Sequence, residues 1–203
     1  MAAFAVAWLL LAIRPVDRFD WLLENLLVFL GVPYVIWRYR HSPLSNLSYL
    51  CLFLFGLLHL VGAHYTYSLV PAGFELQQSL GLSRNHYDRC VHFSFGLLVS
   101  IPVLEAQSRI AKLKSWWSYM LPVAVTASLS CLFEVIEWVI ALVVDPAAGN
   151  AYLGTQGDEW DAQKDMAVAI AGAVIAMTYA HFADRRGHPM HRDRFAMGQR
   201  PAG

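Results

Sequence analysis

Apolar residues in this chain do not alternate with polar ones at a strand period. They gather into long blocks parted by short polar stretches. Six blocks stand out, at residues 2–13, 21–37, 47–70, 91–104, 116–144 and 165–182. A helix needs ~20 residues to cross a ~30 Å hydrocarbon core, and ~17 suffice. Blocks three, five and six meet that length, block two just meets it, and block four must borrow from its flanks. The first block would cover only ~18 Å at ~1.5 Å per residue. It reads as a short first span, with a helix lying on the membrane surface as the alternative. Leu11-Ala12-Ile13-Arg14-Pro15 is a poor cleavage sequence and no basic region precedes it, which argues against a signal peptide. The pattern predicts an all-α, polytopic membrane bundle of about six transmembrane helices. Residues 1–183 form one transmembrane unit and 184–203 a basic, disordered tail. Pro33, Pro102 and Pro122 fall inside spans and predict local kinks.

Composition agrees with the pattern. Of the 203 residues, 57 % are hydrophobic and only 15 % charged, whereas soluble domains carry about 25 % charged residues. A soluble enzyme and a secreted disulfide scaffold are thereby excluded. Fifteen Lys+Arg balance fifteen Asp+Glu, so no basic surface points to nucleic acid. Cys51, Cys90 and Cys131 are far apart and form no paired motif. Basic residues are biased: ten lie in the second and fourth loops and the tail, five in the other loops. The positive-inside rule then places both termini in the cytoplasm. A lipid bilayer, the bacterial inner membrane, is the partner this implies.

Within that topology the ionisable residues converge. His59 and His64 lie in the outer half of the third span. Asp88 and His92 stand four residues apart at the outer start of the fourth. Glu134 and Glu137 lie in the outer third of the fifth, and the loop carrying Asp158, Asp161 and Asp165 leads into the sixth. The cytoplasmic halves of the spans carry almost none. Each charge left in hydrocarbon costs ~2.5–3.5 kcal/mol, so these groups are expected to face the bundle interior and line one polar outer pocket.

Each group admits two readings. Glu134 and Glu137 share a helix face and could bridge a metal; alternatively one is protonated and the other meets Arg84 or Arg89. Asp88 and His92 could hold one cation, or the aspartate could orient the imidazole, or Asp88 could simply stabilise a helix N-terminus. Asp158, Asp161 and Asp165 could serve the same N-terminal role. His59 alone reads as an interior histidine bonding across helices. Mixed imidazole and carboxylate suits Zn, Mn or Fe. The expected divalent metal ligands are His64, His92, Glu134, Glu137, Asp158, Asp161 and Asp165. Asp88, His92, Glu134 and Asp161 are the candidate catalytic residues. Arg84 and Arg89 are expected at the rim, compensating only two of the carboxylates. No H-E-x-x-H, G-x-S-x-G or phosphate-loop pattern is present.

Several strings carry a family resemblance: Ser45-Asn46-Leu47-Ser48-Tyr49, the run from His59 to Tyr67, Asn85-His86-Tyr87-Asp88-Arg89 leading to His92-Phe93, and the stretch from Gly154 to Asp165. On these the chain resembles the YjdF-like family of bacterial inner-membrane proteins. More loosely, Asp88-Arg89-x-x-His92-Phe93, the Glu134 region, and Asp165 followed by Gly172 resemble VanZ-like proteins, small membrane proteins associated with glycopeptide (teicoplanin) resistance. Neither resemblance implies a particular reaction. Two functions are open: a metal-assisted or acid–base hydrolase or transferase acting on a lipid-linked or envelope substrate, and a non-catalytic cation or proton transporter or membrane scaffold. Transporters often show inverted repeats, and no repeat is legible here.

Overall fold

The structure, a computed structural model, describes residues 1–111, 113 and 115–187. Those residues form helices and loops without a strand: α1 (Ala2–Leu11), α2 (Arg18–His41), α3 (Asn46–His64), α4 (Pro71–Leu80), α5 (Tyr87–Ile110), α6 (Trp117–Val143), α7 (Pro146–Leu153) and α8 (Asp161–Arg185). Five of them, α2, α3, α5, α6 and α8, are long and apolar enough to cross a membrane. The first apolar block becomes a helix of 10 residues, which covers ~15 Å, half a bilayer core. About six spans thus resolve into five full ones and a short first helix. The last helix continues to Arg185, just past the expected boundary at 183. The remaining tail expectation falls on residues 188–203, outside the described residues.

Helix ends follow local chemistry. The Asp17 carboxylate accepts from the backbone N–H groups of Phe19 and Asp20 at 2.7 and 2.9 Å, starting α2. Ser45 does the same for α3. Helices α4 and α7 open on Pro71 and Pro146, and each stops at a left-handed glycine, Gly81 (φ +64°) and Gly154 (φ +57°).

Small residues set the packing. Helices α5 and α8 are the closest pair, with Ala169, Ala173, Ala176 and Ala180 buried along α8. A Cβ added at Gly96 would lie 1.8 Å from the Ala169 carbonyl oxygen, and one at Gly172 would lie 2.3 Å from that of Phe93. Glycine is what lets the two backbones meet, as between helices in lipid. Helix α3 packs on α5, α6 on both α5 and α8, α1 and α2 on α3, and α7 joins α6 to α2. Leu132, Val135, Ile136, Val139, Leu142 and Val143 of α6 face outward uncovered, the surface that lipid would cover. The starts of α2, α5 and α8 and the ends of α3 and α6 come together at one end of the bundle.

Candidate functional site

Two loops are sewn together at that end. Arg84 is buried and grips Asp161 with both guanidinium nitrogens, at 2.5 and 3.0 Å, while donating to the carbonyl oxygens of Thr155 and Gly154. Arg89 donates to Asp158 at 2.5 Å and to Asp161 at 3.0 Å. The side chain of Gln156 both accepts from and donates to the Asn85 backbone. Bidentate, charge-assisted bonds of this kind fix geometry as well as energy. The expectation that both arginines sit at the rim is corrected: Arg84 is buried, because Asp161 and two loop carbonyls surround its head. Outside the spans, Asp158 receives hydrogen bonds from Lys164 and Arg89, which hold its carboxyl well below the usual carboxylate range. Burial, then the Arg89 and Arg84 guanidiniums, keep the His86 imidazole below its ordinary value.

Inward of this latch further acids lie beside Asp161. One carboxylate oxygen each from Asp88, Asp161 and Asp165 come within 4.8 Å of one another. His92 Nε2 sits 3.5 Å from Asp88 Oδ1 and 3.5 Å from Glu134 Oε1. The side chains of Glu134 and Glu137 are within hydrogen-bond reach of each other. Asp165 is only 2 % exposed, yet its Oδ1 has no hydrogen-bond partner, and neither has Glu134 Oε1. The nearest cation to Asp165 Oδ1 among the ion pairs is Arg89 Nε, at 3.8 Å, too far for a hydrogen bond.

Two further acids that the sequence reading did not single out are buried on α2. Asp20 and Glu24 of α2 are 4 % and 3 % exposed, and both Asp20 oxygens and Glu24 Oε2 lack partners. Asp20 sat one residue before the second apolar block and Glu24 inside it, so both passed for flank and exception. Their i, i+4 spacing was the available signal. Helix α7 packs on both α6 and α2. The field of these acids is felt by two phenols outside the spans. Burial first, then Glu24, Asp88 and Glu137, push the Tyr67 hydroxyl up; burial first, then Glu24, Glu137, Asp20 and Glu134, do so for Tyr152.

The expected ligands therefore divide. His92, Asp161, Asp165 and Glu134 cluster around Asp88 and one another, with Glu137 beside Glu134. Asp158 stays on the outer side, shared by Lys164 and Arg89. His64 does not join them: its Nδ1 lies 2.8 Å from the Leu11 carbonyl oxygen, fastening α3 to the end of α1. His59 bonds across helices as expected, with Nε2 3.1 Å from the Glu24 carbonyl oxygen and Nδ1 2.5 Å from the Tyr67 hydroxyl. Since a carbonyl only accepts, Nε2 carries the hydrogen and Tyr67 donates to Nδ1.

The opposite end corrects a second expectation, that it is nearly free of buried charge. Glu105 of α5 is 1 % exposed. It accepts from the Ser45 backbone and hydroxyl, both at 2.8 Å, from the Ser48 hydroxyl at 2.5 Å, and from Arg109. It lies one residue beyond the fourth apolar block, so the sequence pattern placed it in a loop.

Residues 1–186 match the family described as predicted membrane protein DUF2238. The chain belongs to this family. A DUF2238 relative, the inner membrane protein YjdF of Escherichia coli strain K12, is 38 % identical over 164 residues, covering 80 % of this chain and 78 % of that protein. No solved structure matches.

Proposed function

We propose that this DUF2238 protein, like its Escherichia coli relative, resides in the bacterial inner membrane, with both termini cytoplasmic and the acidic cavity opening to the extracytoplasmic side. There it binds a divalent cation and acts as a hydrolase or transferase on a lipid-linked or envelope substrate. The observation that carries the reading is the set of buried carboxylate oxygens without partners, Asp165 Oδ1 foremost. A buried carboxylate left unpaired costs several kcal/mol, and crowded like charges add to that cost. A cation removes both.

Distances favour a shared ion. Ligands bound at ~2.1 Å stand ~3.0–3.4 Å from one another around octahedral or tetrahedral metals. The 3.5 Å separations of His92 Nε2 from Asp88 and Glu134 are too long for good hydrogen bonds and close to that spacing. One imidazole among several carboxylates suits Mn(II) or Fe(II) better than a nitrogen- or sulfur-rich zinc site. Asp88, Asp165 and His92 are the proposed ligands. Glu134, beside His92, is placed to take a proton from a bound water. Asp161 is a positioning residue, committed to Arg84 and Arg89.

The test uses protein purified in detergent, stripped with chelator and reloaded with Mn(II). Tight binding by the wild type and its loss in Asp165→Asn are expected; no binding by the wild type refutes the reading. Envelope lipid extracts incubated with loaded wild type should show mass-spectrometric product absent with Glu134→Gln. Mn(II) flux in proteoliposomes without any product would instead favour the transporter.

A further inference from the structure

The latch leaves part of each arginine unused. Arg84 spends its terminal nitrogens on Asp161 and two loop carbonyl oxygens, and Arg89 spends its own on Asp158, Asp161 and His86 Nδ1. Both Nε–H groups stay buried without an acceptor among the described residues. A guanidinium is planar and its N–H groups form a fixed fork, so the carboxylate bonds on one edge settle where Nε–H lies. Arg89 Nε stands 3.8 Å from Asp165 Oδ1, the oxygen that itself accepts nothing. A charged donor and a charged acceptor, both buried, thus lie side by side at a distance too long for a hydrogen bond. One further oxygen can answer both. Around a metal bound at ~2.1 Å, neighbouring oxygens sit ~3.0 Å apart, and an N–H···O bond spans ~2.9 Å. Those two lengths close a triangle on the observed 3.8 Å, so an oxygen on the ion held by Asp165 could also accept from Arg89.

We infer that the centre takes its substrate by a phosphoryl group, one oxygen of which is shared between the cation and Arg89 Nε. The inference rests on the reading of Asp88, Asp165 and His92 as a cation site and narrows its substrate class to a lipid-linked phosphate. Charge selects that chemistry. In the latch three cations, Arg84, Arg89 and Lys164, meet two carboxylates, Asp158 and Asp161. A guanidinium bonds an anionic oxygen about twice as strongly as a neutral one. A carbonyl oxygen would answer the metal and leave the cationic donor poorly used. A phosphoryl oxygen answers both, as in the metal and arginine clamps that hold phosphoryl groups elsewhere. Arg89 is then a substrate-binding residue as well as a strand of the latch.

Phosphorus NMR on the full-length protein in detergent, loaded with Mn(II), tests it, with inorganic phosphate and dihexanoyl phosphatidic acid as probes and Mg(II) as the diamagnetic reference. A phosphorus whose oxygen is bound to Mn(II) relaxes far faster than one in solution. Both probes should show that enhancement with the wild type. Arg89→Lys keeps a cation for Asp158 but has no Nε–H, so it should still bind Mn(II) and hold both probes about tenfold more weakly. A wild type that binds Mn(II) without enhancing either probe overturns the phosphoryl site and leaves the cation centre standing. Equal probe affinity in the wild type and Arg89→Lys overturns the part given to Arg89. A wild type that binds no Mn(II) overturns both readings. Tighter binding of phosphatidic acid than of inorganic phosphate supports the lipid-linked assignment, and the reverse order overturns it. Where Arg89→Lys fails to fold by gel filtration, competition on the wild type decides: methylphosphonate should displace the probes, and displacement by acetate at the same concentration overturns the preference for a phosphoryl group.

Discussion

Two buried acidic regions sit at opposite ends of this bundle and differ in how they are satisfied. Glu105 is a single carboxylate met by Ser45, Ser48 and Arg109. At the other end lie Asp20, Glu24, Asp88, Glu134, Glu137 and Asp165, and the arginines nearby are bound to Asp158 and Asp161. The first arrangement closes its hydrogen bonds internally and pins the start of α3 to the end of α5. The second is left open, with oxygens that nothing in the described residues satisfies. A closed network reads as architecture, whereas an open one reads as a place awaiting a ligand.

Breaking the closed node should have the largest effect. Glu105→Ala strands the Ser45 backbone and hydroxyl donors and the Ser48 hydroxyl, and each buried donor left unsatisfied costs about 1–3 kcal/mol. Thermal unfolding in detergent should show a drop of many degrees, independent of metal. The seam joining the two regions comes next. Gly172→Ala would drive a Cβ into the Phe93 carbonyl oxygen, and such overpacking costs about 1–3 kcal/mol, read by the same melt.

In the open region the sign should reverse. Asp165→Asn, metal-free, should melt at or above the wild-type temperature, because Asp165 Oδ1 accepts no hydrogen bond and Asp88 and Asp161 crowd it with like charge. With saturating Mn(II) the wild type should gain stability and the variant should not. A lower metal-free melting temperature would place Asp165 with Glu105 as an architectural acid. The smallest effect belongs to the rim. The Asp158 carboxyl is held below its ordinary value of 3.8 by Lys164 and Arg89. Its stabilisation is therefore complete above that value and lost as pH falls through the lowered one. Lys164→Ala should lower melting slightly at neutral pH, and the deficit should close as pH falls through the lowered value, where the wild type loses the same contribution.

The helical, membrane-spanning character of the chain was determined by the sequence alone. Blocks of apolar residues near bilayer length admit few other structures, since backbone groups in lipid must bond within their own helix. The convergence of Asp88, His92, Glu134, Glu137, Asp161 and Asp165 was also legible, because ionisable groups in apolar segments must face inward and depth can be counted along a helix. Depth does not give azimuth. Only the tertiary structure decided that His64 turns to the Leu11 carbonyl oxygen, that Arg84 is buried on Asp161, and that Asp20 and Glu24 of α2 are buried. Whether Glu105 is closed and Asp165 open was likewise settled there, because satisfaction of a buried carboxylate depends on donors far away in the chain: Ser45 lies 60 residues from Glu105. Spacing along one helix cannot report a partner supplied by another.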